Sequence, residues 1–160
     1  MDPFVIFGLP HSLALDERAL EKRYLQLSRE VHPDHNRADH HDDCVAVLHR
    51  AAELNDAWRT LRDRWERARF VLETAQPGVM DATKVLEPCF LAEAMDEAEA
   101  VAEASAKAAP DLERRIQLQV DRCWQRICES HARADFRGAA TALHESKYHR
   151  KALLDLEAKL

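Results

Sequence analysis

The chain has 160 residues, 46% hydrophobic and 32% charged, with 3 Gly, 2 Tyr and a formal net charge of −6. That length allows one ordinary domain or two small ones, and the scarcity of glycines and strand formers argues against an all-β sandwich or a Gly-rich nucleotide-binding fold. An acidic balance opposes nucleic-acid binding, and nothing approaches the roughly 18 consecutive apolar residues of a membrane span. The opening MDPFVIFGLP has neither a basic n-region nor a cleavage-like site. A helical, soluble, cytoplasmic protein with no nucleic-acid or membrane partner is expected.

The elements follow in chain order. Phe4 to Pro10 is short and apolar and ends in Gly8-Leu9-Pro10. Asp16 can cap a helix whose stripe is Leu20, Tyr24, Leu27 and Val31, spaced by four, three and four. Pro33 stops it, because the residue before a proline is pushed out of the α region. His32 to Asp43 lacks apolar periodicity and reads as a loop. A longer helix returns through Val47, Leu48, Ala51, Leu54, Trp58 and Leu61. Asp63 and Glu66 resemble a capping box for a short helix through Trp65, Ala68, Val71 and Leu72.

Gln76-Pro77-Gly78 then breaks the chain, so two helical modules are expected: residues 1–75, a linker at 76–86, and 87–160. Each side of the break carries half of the net charge, so charge does not separate them. In the second module, Phe90 to Ser105 is amphipathic, with Phe90, Leu91, Ala94, Ala98, Val101, Ala102 and Ser105 as the core stripe. Ala109-Pro110-Asp111 restarts a helix with proline in its first turn, and Leu112, Ile116, Val120, Cys123 and Ile127 line its inner face. Asp135 can cap a last helix through Phe136, Ala140, Leu143 and Leu154. The fold class is all-α, an N-terminal helical hairpin followed by a three-helix bundle.

Cys44, Cys89, Cys123 and Cys128 form no C-x-x-C pair, which reads as free thiols rather than a disulfide framework or zinc ribbon. His32, His35, His40, His41 and His49 crowd one region with Cys44, but without H-E-x-x-H spacing or paired cysteines. No metal, cofactor or catalytic residue is expected, since neither a nucleophile–base pair nor a phosphate loop is present. A metal-binding helical protein built on the His35–His49 cluster stays open as an alternative.

The informative residues are His32-Pro33-Asp34, at the tip where the first long helix stops. The tripeptide alone is weak; between two amphipathic helices, followed by a polar loop, it is specific. This resembles the J-domain of the DnaJ class of co-chaperones, over roughly residues 2 to 75. Phe4 to Pro10, the L-D-x-x-A-L-x-x-R of Leu15 to Arg23, and LNDAWRTLRDRWERARFVL from Leu54 narrow the likeness to the HscB family. CFLAEAMDEAE at Cys89 to Glu99 is similar to that family's C-terminal domain. Two positions depart from its pattern: His35 stands where a lysine is usual, and Arg64 where a proline often stands.

The resemblance implies a J-type co-chaperone of iron–sulfur cluster biogenesis. Its J-domain would stimulate ATP hydrolysis by an HscA-type chaperone of the DnaK class. Its C-terminal domain would deliver an IscU-type scaffold protein. The implied chaperone-binding residues are His32, Pro33 and Asp34 with Lys22, Arg23 and Arg29. The implied scaffold-binding residues are Leu91, Ala92, Met95, Asp96, Glu99 and Glu103, with Tyr148 from the last helix. Physically, Pro33 fixes φ and presents its neighbours with little freedom to lose on binding. From Glu87 to Glu103 there are six acidic residues and no basic one, which by composition alone reads as a solvated face. A J-protein with another client remains the second alternative.

Overall fold

The computed structural model describes residues 1–31 and 41–159, with side chains described from residue 45 onward in the second of these stretches. Eight helices occupy them: α1 Pro3–Phe7, α2 Glu17–Glu30, α3 His41–Arg62, α4 Arg64–Ala75, α5 Val79–Ala82, α6 Pro88–Glu103, α7 Ala109–Ala132 and α8 Phe136–Lys159. Among the described residues there is no strand, and no helix is long and apolar enough to cross a membrane. The chain divides into two compact units, Met1–Val71 and Leu72–Leu160, so the boundary falls within α4. His32, Pro33 and Asp34 lie outside the described residues, as do His35 and His40 and the side chains of His41 and Cys44.

In the first unit the apolar opening is a helix. Asp2 starts α1 by accepting from the backbone N–H of Phe4 and Val5, at 2.8 and 3.4 Å. Gly8 stops it in the left-handed region (φ 66°), where a side chain would be strained. This single turn puts Phe4 and Phe7 into the centre of the unit, fully buried with Leu20, Leu54, Ala57 and Leu61. The caps expected at Asp16 and Asp63 form, each carboxylate accepting from two N–H groups of the following turn. The backbone of α3 is already helical at His41, inside the segment read as loop. Trp58, expected in the core, is half-buried and stacks on Tyr24 with ring centroids 4.6 Å apart. The Tyr24 hydroxyl donates to Asn55 Oδ1 at 2.9 Å, which ties α2 to α3.

Sequence reading overlooked Arg67, a charged residue that is only 4% exposed. Its Nε donates to the Leu13 carbonyl at 3.0 Å and its Nη1 to the Leu61 carbonyl. Leu61 is in the last turn of α3, where carbonyls lack intrahelical partners and the helix dipole favours a cation. Desolvation lowers the pKa of Arg67, against the opposing pull of Glu17 and Asp63. One guanidinium thus fixes the loop before α2 to the end of α3.

In the second unit, α8 is the common partner of α5, α6 and α7. Its buried face is mostly small: Ala139, Ala140, Ala142, Leu143, Ser146, Ala152 and Leu156. The opposing face of α7 is Leu112, Ile116, Val120, Cys123 and Ile127, as the spacing predicts. Leu154 is not part of the core; it is 64% exposed, and Ala152 and Leu156 take its place. Residues 76–86, read as a linker, hold α5, with Val79, Met80 and Leu86 buried. His144 Nε2 donates to the Met80 carbonyl at 2.8 Å and holds that short helix against α8. A four-residue helix has too little periodicity to be legible beforehand.

Two tests follow from the first unit. Arg67→Met keeps the aliphatic stem but leaves two buried carbonyls without a donor, and is expected to cost about 2–4 kcal/mol in urea unfolding. Arg67→Lys should restore little of it, because an ammonium cannot span both carbonyls in the geometry of a guanidinium. The second test is pH. Burial would raise the pKa of Asp2, but the hydrogen bond from His11 and the N–H groups of Phe4 and Val5 outweigh it and hold it below the usual carboxylate value. A depressed folded-state pKa contributes stability above the unfolded value, lost as pH falls through the folded one. The protection factor of the Phe4 amide, its exchange relative to the intrinsic rate at each pH, should therefore fall on acidification through and below the ordinary aspartate range. In Asp2→Asn this acid-induced step should be absent.

Candidate functional site

The first candidate surface is the outward side of α2. With Leu20 buried and Tyr24 and Leu27 half-buried against the unit, Lys22 and Arg29 are left exposed on the opposite side. Arg18 and Leu25 complete the same stripe at spacings of four, three and four, and Leu25 is 50% exposed. Neither was singled out from the sequence, although that spacing was available. Arg23 sits differently: it is half-buried and its Nε donates to the Phe7 carbonyl at 3.4 Å, at the end of α1. Lys22 and Arg29 therefore present their charge to solvent, while Arg23 is turned toward its own unit. Arg29 is in the last turn of α2, three residues before His32 in the sequence.

The second candidate surface is on α6. The side facing α8 is Phe90, Ala94, Glu97 and Val101 rather than the wider apolar arc read from the sequence. Ala98 and Ala102, expected in the core, are exposed, and Leu91 is half-buried. The cause is Glu97. Its carboxylate turns inward and accepts from His149 Nδ1 at 2.8 Å, with both side chains largely buried. Phe90 meets both Tyr148 and His149 edge-on, with centroids 5.7 Å apart in each case. Fixing Phe90 and Glu97 inward turns Ala98 and Ala102 out of the core beside Met95 and leaves Leu91 half-buried at the border.

What this leaves outside is an apolar row flanked by carboxylates. Met95 is 73% exposed and Tyr148 46%, while Ala92, Asp96, Glu99 and Glu103 are all exposed along the adjoining edge. An exposed methionine and tyrosine beside a row of acids suit a partner with apolar anchors and a basic rim. Glu99 and Glu103 stand near the C-terminus of α6, where the helix dipole disfavours anions. Lys159 of α8 compensates by donating to the carbonyls of Val101, at 3.2 Å, and of Ala102.

Among the described residues no three His, Cys, Asp or Glu side chains converge as a metal site. Of the histidine-rich segment, His49 is described, and its Nδ1 lies 3.5 Å from Glu53 on an exposed helix face.

Comparison with known proteins bears on the fold and on the family of the second half of the chain. Residues 86–157 match the family described as the HSCB C-terminal oligomerisation domain. Among solved structures, the chaperone HscB from Vibrio cholerae superposes with a TM-score of 0.84 at 24% identity, covering 99% of this chain and 97% of that one. The human co-chaperone protein HscB gives a TM-score of 0.88 at 24% identity, over 99% of this chain and 82% of that one. At such identity the superpositions establish the fold, and the domain match establishes the family of the second unit. Residues 86–157 belong to the HscB C-terminal domain family, in a chain with the HscB-type fold.

Proposed function

We propose that this chain is a non-enzymatic, cytoplasmic co-chaperone of iron–sulfur cluster assembly. In this reading residues 1–75 act as a J-domain, and His32, Pro33 and Asp34 with Lys22 and Arg29 dock on an HscA-type chaperone of the DnaK class. That docking stimulates the chaperone's ATP hydrolysis. Residues 87–160 bind an IscU-type scaffold protein through Leu91, Ala92, Met95, Asp96, Glu99, Glu103 and Tyr148. Arg23 contributes to docking by bracing α2 on α1 rather than by touching the partner. The observation that carries the reading is the HscB-type fold over 99% of the chain, with an H-P-D tripeptide following an exposed basic stripe.

The mechanism asks little chemistry of this protein. Asp34 offers an anionic acceptor and His32 a donor, while Lys22 and Arg29 supply steering toward an acidic surface. On α6, apolar anchors within an acidic frame select a client with the opposite rim. Hydrolysis remains the task of the partner.

An ATPase assay on a cognate DnaK-class chaperone tests the first half. Asp34→Asn removes one charge-assisted contact of about 1.5–3 kcal/mol and should abolish stimulation with an unchanged melting profile. Full stimulation at saturating partner would overturn the docking role. Calorimetry with the scaffold tests the second half. Met95→Ala combined with Tyr148→Ala truncates two exposed side chains and should weaken binding more than tenfold, corresponding to at least about 1.4 kcal/mol. Undiminished affinity would remove the α6 face from the interface.

A further inference from the structure

A cleft of about 440 Å³ opens in the second unit between α6 and α7, with α8 as its floor. Its floor is internally neutralised. Arg126 is bonded to Glu145, and Glu97 to His149. The Cys123 thiol beneath them is buried, and desolvation, reinforced by Glu145, pushes its pKa up to about 11, so it stays protonated. The walls are different. The α7 side presents Arg115 and Arg122, with Gln119 between them, and the α6 side presents Glu93 and Asp96. All four charged residues are exposed, and none forms an ion pair with another described residue. One wall is therefore basic and the other acidic, with both sets of charges unspent.

From this juxtaposition we infer that the cleft is a binding site for an extended polypeptide segment of alternating charge. The row from Arg115 to Arg126 spans eleven residues of helix, about 16 Å at 1.5 Å per residue. An extended chain covers that length with about five residues at roughly 3.3 Å each, and its successive side chains point to opposite sides. A segment lying along the cleft thus turns one set of alternate residues to α6 and the other to α7. Cationic residues in the first set and acidic residues in the second satisfy both walls together. A single-sign ligand would meet attraction on one wall and repulsion on the other. A second copy of the chain would bring a concave surface to a concave surface. The cleft is separate from the apolar row of Met95, although Asp96 borders both.

The probe is an acetylated, amidated hexapeptide of alternating Lys and Glu, titrated into the full-length, isotope-labelled protein at low salt. The control has the same composition in two blocks, KKKEEE. The alternating peptide should give saturable shifts at the backbone amides of Ala100, Gln119 and Arg122, with at least tenfold weaker binding of the block peptide. In Arg115→Glu/Arg122→Glu binding should fall at least tenfold with unchanged circular dichroism. Exchanging both walls, by adding Glu93→Lys and Asp96→Lys to that variant, should restore binding, because an alternating segment fits the swapped walls equally well. Equal binding of the two peptides, shifts outside the cleft, indifference to the double variant, or failure of the four-residue swap to restore binding would each overturn the site.

Discussion

The pairing of Glu97 with His149 sets which face of α6 the molecule shows to its surroundings. A carboxylate and an imidazole this deeply placed must satisfy one another, since either alone would leave a desolvated polar group. Once they meet, the rotation of α6 about its own axis is fixed, with Phe90 and Val101 carried to the same side. The exposed row of Met95, Ala98 and Ala102, with Leu91 half-buried at its head, is a consequence of that rotation. The acidic edge beside it and the carboxylates that reach the α7 side of the helix are consequences too.

Helix α8 makes this possible because its inner face is built from small side chains. Ala139, Ala140 and Ala142 bring α7 close, while the larger His144, His149 and Lys159 reach sideways to hold α5 and the middle and C-terminal end of α6. The long partner α7 is held by apolar packing, and the shorter α5 and α6 by apolar contacts together with polar clamps. The first unit solves a similar problem differently. There α1, a helix of five residues too short to be stable by itself, is held by caps at both ends and by burial of Phe4 and Phe7. Arg23 and Arg67 then secure the backbone around it.

Much of this was legible in the residues. The all-α class, the caps at Asp16, Asp63 and Asp135, the proline start of α7 and its buried stripe all follow from spacing and from the chemistry of helix ends. The outward position of Lys22 and Arg29 followed from the stripe opposite them. What was not legible depends on partners distant in the chain. Nothing near Glu97 distinguishes it from Glu93 or Glu99; its inward turn needs His149, 52 positions away. Ala98 and Ala102 looked like core because alanine fits either environment, and only the rotation set by Glu97 decides. Arg67 looked like a surface arginine because its acceptors are backbone carbonyls, which leave no mark in the side-chain pattern.

The three glutamates make a broader point about reading acidic helices. Glu93 faces the cleft, Glu97 the core and Glu99 the outer edge, within two turns of one helix. Pairing Glu97 with His149 supports the fold, because neither largely buried group is then left without a hydrogen-bond partner. The charges on Glu93 and Glu99 do nothing comparable for stability, since exposed carboxylates near one another repel and are screened. Met95 is in the same position: 73% of it meets water, where a lysine or glutamine would serve the isolated fold better. Side chains that add nothing to folding yet occupy one helix in an ordered arrangement are the ones the proposed docking surfaces use. On α6 the fold uses one face, and the proposed scaffold and peptide surfaces take the other two.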